Sequence, residues 1–253
     1  MQKSRATGFA LATVTALIIA GCATLGFEGP PPPPTSVQTL EYYPFLVKGY
    51  QDSYPHRRIL VLAPVDARDF RDAGTPDHEP SGGNPAVGLT TAEDGTIVQR
   101  LYSTPLAPIV QKAIARSAEE AGMTSNIAPE SDYKAGTKLP DDYVLTSKIT
   151  RCWVKKHRGN TGRYGPIWTS AADFSLEIAI YKPPFGTPFW EGTSNAEYTD
   201  PPVGSFGLGP EDEAGIYDEP GQVLSVALTR SVAGIWQHND LRSLLLEDQL
   251  HPR

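Results

Sequence analysis

The two cysteines are the residues of this sequence with the most reactive side chains. Cys22 ends a short apolar stretch and directly follows Ile19-Ala20-Gly21. A thiol is a strong nucleophile, and the small residues before it give a processing enzyme access to the backbone. This spacing predicts that Cys22 takes up lipid and that the chain is cut before it. Cys152 stands beside Trp153 in a strand-like segment. The basic residues after it would suit a catalytic thiol, but an isolated strand cysteine is usually a small buried side chain.

The residues before Cys22 have the three parts of a secretory signal. Lys3 and Arg5 form a positive region, and residues 9–20 form an apolar run. That run is shorter than the ~20 residues that cross a membrane as a helix, which favours a cleaved signal. The segment resembles the lipobox of bacterial lipoproteins. The resemblance implies an acylated thiol, loss of residues 1–21 and, since Ala23 rather than aspartate follows, the periplasmic face of the outer membrane. An ordinary cleaved signal and an uncleaved anchor are the alternatives.

The charge balance argues against nucleic-acid binding. The chain carries a net charge of −7, and loss of Lys3 and Arg5 with the leader would lower it to −9. Nucleic acid repels such a chain at long range. With Cys22 acylated, Cys152 has no disulfide partner within the chain, and two cysteines are too few for a cysteine-rich metal site. We therefore expect no metal and no cofactor other than the covalent lipid on Cys22.

Other motifs that could support catalysis or metal binding are weak. None of the five histidines lies at metal-ligand spacing from another histidine or a cysteine. Asp77-His78-Glu79 and the acidic residues 211–219 are typical of solvated loops, and the latter lack the spacing of an EF-hand. A Gly-x-Ser-x-Gly elbow and a phosphate-binding loop are also absent from the sequence. These observations favour a protein that is not an enzyme, while the many acidic residues leave a catalytic carboxylate pair open.

A cluster of basic residues is the most informative polar feature. Three glycines between Lys155 and Gly165 predict that the cluster surrounds the tip of a β-hairpin, and Trp168 lies close by. A basic, aromatic-flanked tip suits lipid phosphates, lipopolysaccharide, peptidoglycan or an acidic protein partner. Solvated charges that aid solubility are the other interpretation. The candidate partner-binding residues are Arg151, Lys155, Lys156, Arg158, Arg163 and Tyr164.

The segments that hold these residues divide the chain into three parts. Residues 1–21 form the signal peptide, and residues 22–54 contain the lipidated cysteine and a proline run, Pro30–Pro34, that is typical of a polyproline tether. Residues 55–253 are long enough for a single domain. Within it, Ile59–Ala63 is a continuous apolar run, which predicts a strand covered on both faces.

The remaining patterns predict an α+β fold. A helix begins at Thr104-Pro105 and ends at Gly122, with an apolar stripe on one face and Gln111 on the opposite, polar face. Three strand-like segments follow at 143–154, 172–181 and 189–198, and a second helix opens at Asp218 or Glu219 before Pro220. A short terminal helix over 239–250 is also expected. The order β-α-β-β-β-α predicts one mixed, mainly antiparallel sheet with two amphipathic helices on one face.

The order of elements is similar to that of small periplasmic lipoproteins related to the N-terminal domain of TolB. That group includes the YajG-like lipoproteins and the lipoprotein activators of penicillin-binding proteins. The matching pieces are the strand that ends in Asp66-Ala67-Arg68, the helix to Gly122, the strand segment Ala172-Asp173-Phe174-Ser175-Leu176, and the helix from Pro220. The resemblance implies a non-enzymatic envelope protein that binds partner proteins.

Three functional hypotheses follow. The first is a membrane-anchored accessory or adaptor subunit of an envelope assembly that serves transport, secretion or wall synthesis. The second is a periplasmic enzyme that acts on envelope material. The third is a glycan or small-ligand binder that would use the aromatic residues Trp153, Tyr164, Trp168 and Trp190.

Overall fold

A mixed β-sheet forms the centre of the protein in the computed structural model, which describes residues 34–46, 53–54, 57–68, 84–129, 142–162, 165–182, 186–200 and 219–250. Over these residues the strands are β1 (Thr35–Gln38), β2 (Arg58–Leu62), β3 (Val65–Asp66), β4 (Ala86–Thr91), β5 (Ile97–Ser103), β6 (Thr124–Ala128), β7 (Tyr143–Gly162), β8 (Gly165–Tyr181) and β9 (Trp190–Thr199). The helices are α1 (Leu106–Glu120), α2 (Pro220–Gly234) and α3 (Asn239–Leu250), with 3-10 turns at Pro44–Leu46 and Ile235–Gln237.

The α+β class is confirmed, with a mixed sheet and with α1 and α2 packed on one face of it. We call that side of the sheet the helix face and the opposite side the open face. The antiparallel β7-β8-β9 meander accounts for most of the strand pairing. Along its other edge β7 pairs in parallel with β2, β3 and β4 in turn, so this one strand of 20 residues joins both halves of the sheet.

Five of the described strands, β1, β3, β4, β5 and β6, lie outside the predicted β-α-β-β-β-α order. β4 and β5 form an antiparallel hairpin between β3 and α1. β1 pairs in parallel with β5, and β6 pairs in parallel with β2. Each is seven residues or shorter and mixes polar with apolar residues. Apart from the β4–β5 hairpin itself, their pairing partners are distant in sequence, so local periodicity gives little signal for them.

The β2 prediction is confirmed in detail. Ile59 and Val61 belong to the main core beneath the helices, whereas Leu60 and Leu62 join Val144 in a second, smaller apolar cluster. Successive strand residues point to opposite faces, so an unbroken apolar run requires cover on both. The second cluster supplies that cover on the open face.

Helix α1 lies where it was predicted, but the prediction for Gln111 was wrong. Its stripe from Leu106 to Ala118 is buried, and Gly122, with φ of 91°, ends it as expected. Gln111 is not on a solvated face. It is buried, and its Nε2 donates to the carbonyl oxygens of Val61 at 2.9 Å and Ala128 at 2.7 Å. The amide thereby ties α1 to the ends of β2 and β6.

Helix α2 is buried almost all round rather than along one stripe. Glu219 caps it in a capping box with Gln222, which confirms the predicted start. Its buried hydroxyls have partners: Ser231 Oγ donates to Ser194 O at 2.9 Å, and Ser194 Oγ donates to Ser231 O at 2.6 Å. This reciprocal pair fixes α2 to β9, because each buried hydroxyl would otherwise cost free energy.

The chain from Pro34 to Leu46 covers another side of α2, and this corrects the predicted tether. Glu41 N donates to Ser225 Oγ and Tyr43 N donates to Thr229 Oγ1, both at 2.9 Å, one helical turn apart on α2. Leu40 is 5% exposed, and Tyr54 is fully buried. The boundary at residue 54 was therefore too late, because residues 34–46 and 53–54 belong to the same compact unit as the later described residues. The predicted signal peptide and Cys22 lie outside the described residues.

The terminal helix α3 is fixed to the sheet by an ion cluster. The carboxylate of Asp248 accepts a hydrogen bond from Tyr143 Oη and pairs with Lys182 Nζ, and Arg57 Nη2 donates to Asp248 O at 2.8 Å. These cations and the tyrosine hydroxyl hold the pKa of Asp248 below its usual value against the effect of its own burial, whereas burial raises the pKa of Tyr143.

Candidate functional site

The β7–β8 hairpin extends beyond every other described strand. On one edge the last partner of β7 is Thr91 of β4, opposite His157; on the other edge the last pair of β8 and β9 is Ala171 with Thr199. Residues 158–162 and 165–168 therefore form a two-stranded projection, about 17 Å long at ~3.4 Å per residue. We call residues 155–162 and 165–169 the arm. Its position agrees with the predicted hairpin tip.

The arm divides the predicted basic cluster between two faces. A β-bulge between Ile149 and Arg151 shifts the alternation of β7 by one residue. Lys156 and Arg158 therefore share the helix side of the sheet with Trp168 and Ser170, whereas Arg151 and Lys155 point to the open side. Arg163 and Tyr164 lie outside the described residues. The structure thus brings together only part of the set.

Each described basic residue has a distinct environment. Lys155 and Arg158 are exposed, and Lys156 Nζ lies 5.6 Å from the centroid of the Trp168 ring, a cation–π distance. Arg151 Nε contacts Asp173 Oδ1 at 2.8 Å on the open face. Arg151 is therefore occupied by a neighbouring carboxylate, and the arm's own cations are Lys155, Lys156 and Arg158.

A second candidate surface is a trough on the open face, near the other end of β7. Its volume is about 760 Å³. Thr146 and Ala179 lie opposite each other on its floor, and the next cross-strand row contains Lys148 and Glu177, whose charged atoms are 3.6 Å apart. The larger apolar residues of the lining are Leu62, Val65 and the aromatic residue Tyr181.

The trough results from a break in the sheet. β2 ends at Leu62 and β3 begins at Val65, so Ala63-Pro64 leaves the ladder along β7. Proline has no N–H to donate, which prevents β2 from continuing. The floor is low because Ala179 stands between the larger Glu177 and Tyr181 on the same face of β8. The only local sequence signal for this site, which was not predicted, is the small residue Ala179 between two larger ones.

A second break along β7 is closed by the Asp66-Ala67-Arg68 stretch. Arg68 forms a two-point ion pair with Asp66, with both N–O distances at 2.8 Å. Its Nη1 also donates to Ala86 O of β4 at 2.8 Å and Cys152 O of β7 at 3.2 Å. The guanidinium, only 5% exposed, thus bridges the point where β7 changes partner from β3 to β4. This stretch has a structural role.

Arg68→Met is expected to destabilise the protein by about 2–3 kcal/mol, because it removes the ion pair and leaves two buried carbonyls without that donor. Urea unfolding followed by tryptophan fluorescence measures the change. Arg158→Met on the exposed arm is the control, expected within about 0.5 kcal/mol of the parent. Equal stability of the two variants would contradict the bridging role.

The structure gives Cys152 the structural role rather than the catalytic one. The bulge in β7 turns it toward the core, where it is 1% exposed. Burial raises the pKa of the Cys152 thiol to about 12, with a smaller opposing effect from Arg68. The group is therefore protonated at neutral pH and lacks the thiolate that a nucleophile requires.

The aromatic residues behind the glycan hypothesis do not converge in the described part. Trp190 is a core residue at 8% exposure, and Trp153 and Trp168 lie on opposite faces of the hairpin. Asp173 stands opposite Glu197 on the open face, and its pKa is raised mainly by burial and further by Glu197, while Arg151 lowers it. Neither of these two carboxylates lines the trough, whose own carboxylates are Glu177 of β8 and Glu191 of β9.

The described ranges contain neither a cluster of metal-binding side chains nor a helix that could span a membrane. Within them, no three side chains of the metal-binding types His, Cys, Asp and Glu lie close enough to hold an ion together. Over the same residues, no helix combines the length and apolar character that crossing a membrane requires. The loop residues 77–79 and 211–218, which the sequence analysis considered as cation ligands, lie outside the described part.

Comparison with known proteins identifies no family: no family model and no curated protein matches the chain. Solved structures with a related arrangement include protein XCC0632 from Xanthomonas campestris, with 12% identity, 85% of this chain and 99% of that chain covered, and a TM-score of 0.46. A protein named as a homolog of a neuraminyllactose-binding hemagglutinin, from Helicobacter pylori, has 9% identity, coverage of 85% and 100%, and a TM-score of 0.40. Lipoprotein GNA1162 from Neisseria meningitidis has 14% identity, coverage of 56% and 83%, and a TM-score of 0.23.

Proposed function

We propose that the protein is a lipid-anchored accessory subunit of a bacterial cell-envelope assembly. Cys22 holds it to the periplasmic face of the outer membrane, and the trough contacts a partner protein. The leader and the Ile19-Ala20-Gly21-Cys22 sequence support the anchor. The observation that carries the partner role is the trough itself, a concave site on the side of the sheet that α1 and α2 leave open.

The composition of the trough suits a protein segment. Its walls offer apolar area from Leu62 and Val65, its floor offers threonine hydroxyls, and the Lys148–Glu177 pair at one side offers both charges. Apolar contact with a few polar groups that fix orientation is what specific binding sites require. Val65 is 42% exposed, which places an apolar side chain at the rim where a partner would cover it.

A photocrosslinking amino acid at Thr146 or Thr193 tests the partner role in intact cells. We expect a discrete adduct from either trough position and none from Lys112, an exposed position on α1. Ala179→Arg should abolish the adduct by filling the floor, whereas Arg116→Ala on α1 should leave it unchanged. An adduct that persists in Ala179→Arg, or no adduct at either trough position, would refute the trough as the contact. Mass spectrometry of the mature chain tests the lipid on Cys22 separately.

A further inference from the structure

The start of β1, the first described strand, lies at the same end of the sheet as the basic arm. A single cross-strand row contains five pairings, and the first three of them connect Thr35 at the start of β1 with Lys155 at the base of the arm. The row consists of Thr35, Arg100, Leu89, Lys155, Ala171 and Thr199. At about 4.8 Å per strand, Thr35 is only about 14 Å from Lys155 along it.

The strand directions show which way the chain enters. β4 runs parallel to β7 and so points toward the arm, β5 runs back, and β1 runs parallel to β5. β1 therefore runs away from the arm, and Pro34, whose carbonyl accepts a hydrogen bond from Arg100 N at 3.0 Å, is at the arm end. The chain that leads back to Cys22 joins the folded body on this side.

The length of that connection limits how far the anchor can be. Twelve residues separate Cys22 from Pro34, and a fully extended chain spans at most ~3.6 Å per residue, or about 43 Å. The arm itself extends about 17 Å beyond the last flanking strand pairs. A membrane that holds lipid on Cys22 is thus within reach of the end of the body that carries Lys155, Lys156 and Arg158.

The arm has the chemistry of a membrane contact. Arg158 and the half-buried Trp168 lie on the projection, and Lys155 and Lys156 lie at its base, in a chain of net negative charge. Tryptophan prefers the headgroup level of a bilayer, and basic residues close to an anionic leaflet are attracted to its surface. Glu93 and Asp94 are exposed in the neighbouring β4–β5 turn. Their negative charges reduce the attraction of the arm to an anionic surface.

We propose that the arm is a second membrane contact, in which Lys155, Lys156 and Arg158 bind the phosphates of anionic phospholipid headgroups in the membrane that holds Cys22. This inference rests on the lipid anchor of the proposed function. The arm and the anchor then hold one end of the sheet at the bilayer, and the trough, near the opposite end of β7, faces away from it.

The test uses the mature lipidated protein in vesicles of phosphatidylcholine, with and without phosphatidylglycerol. A fluorophore on Thr169→Cys reports on the arm and one on Lys112→Cys reports on α1; Cys152 is buried and should not react. We expect headgroup quenchers to reach the arm label only on anionic vesicles, and about 1 M salt to reverse this by shortening the Debye length to ~3 Å.

Charge variants sharpen the result. Each basic residue near an anionic surface strengthens attachment about fivefold, so Lys155→Gln with Arg158→Gln should weaken docking of the arm by roughly 10- to 30-fold. Glu93→Gln with Asp94→Asn should strengthen it, and Lys112→Gln with Arg116→Gln should leave it unchanged.

Three outcomes would overturn the inference. Equal quenching of the arm label on neutral and anionic vesicles would show that headgroup charge plays no part, and no quenching on either would show that the arm stays in water. Protection of the arm only after an envelope protein is added would assign it to an acidic protein partner. A mature chain without lipid on Cys22 would instead refute the anchor of the proposed function, and mass spectrometry distinguishes that failure from the others.

Discussion

Tyr54→Ala is expected to destabilise the folded protein by about 4 kcal/mol, the range found when a large buried aromatic residue is truncated. Tyr54 is fully buried, its hydroxyl donates to Trp236 O at 3.1 Å, and the two ring centroids are 6.5 Å apart. Its backbone N–H also donates to Ala121 O at 2.8 Å, just after α1. Loss of the ring would leave a cavity between α1 and the turn that follows α2.

Two comparisons separate packing from the hydrogen bond. Tyr54→Phe keeps the ring and removes only the hydroxyl, so it should cost about 1 kcal/mol. Val37→Ala, also within the segment first assigned to the tether, should change stability by less than about 0.5 kcal/mol, because Val37 is 56% exposed. Denaturant unfolding measures all three variants. If Tyr54→Ala were as stable as Val37→Ala, Tyr54 would not be part of the folded core, and its assignment to the tether would stand.

Gly88→Ala should destabilise the protein by about 3 kcal/mol through a steric conflict between two strands. A Cβ at residue 88 would lie 2.0 Å from Val154 O and 2.7 Å from Val154 Cγ1. The carbonyl belongs to β7, which pairs with β4 at this position, so neither backbone can move without breaking the ladder. Overpacking of this kind typically costs 1–3 kcal/mol, and a backbone obstacle places this site at the upper end.

Gly95→Ala is the matched control for this prediction. Gly95 lies in the turn between β4 and β5 with φ of 85°, and nothing lies within 4 Å of an added Cβ. Its cost should therefore be only the strain of a left-handed conformation, about 1 kcal/mol. Thermal unfolding of the two variants gives the difference. If Gly88→Ala lowered the free energy of unfolding no more than Gly95→Ala does, the close contact between Gly88 of β4 and Val154 of β7 would be contradicted.

The helices were the elements most accessible from the sequence. In α1 the apolar residues recur at helical spacing between a proline at the start and a glycine at the end, and both signals act within one turn. The position of Gln111 was predicted wrongly, because a helical pattern of apolar residues assigns every polar side chain, including an amide, to the solvent-exposed face. Its burial depends on two carbonyls, Val61 O and Ala128 O, that belong to strands 50 and 17 residues away.

The basic cluster shows the same division between local and distant information. The glycines and alternating pattern located the hairpin, since turn and strand signals are local. The faces of Arg151 and Lys156 could not be assigned, because the bulge that shifts the alternation depends on the register of β7 against β8. The trough could not be predicted from the sequence for a related reason. Its lining comes from four stretches, 62–65, 146–148, 177–181 and 186–193, and the first of them joins β7 through parallel pairing with residues far away in sequence.

The sequence alone determined the leader and Cys22 prediction, the two main helices, the β7-β8-β9 meander and the α+β class, because each depends on residues adjacent in the chain. Tertiary structure decided where the folded body begins, which strands flank β7, and that Arg68 closes a gap in the sheet. It also placed Pro34 beside the arm. These features depend on hydrogen bonds between segments far apart in sequence, and such pairings are set by the packing of the whole domain rather than by local preference.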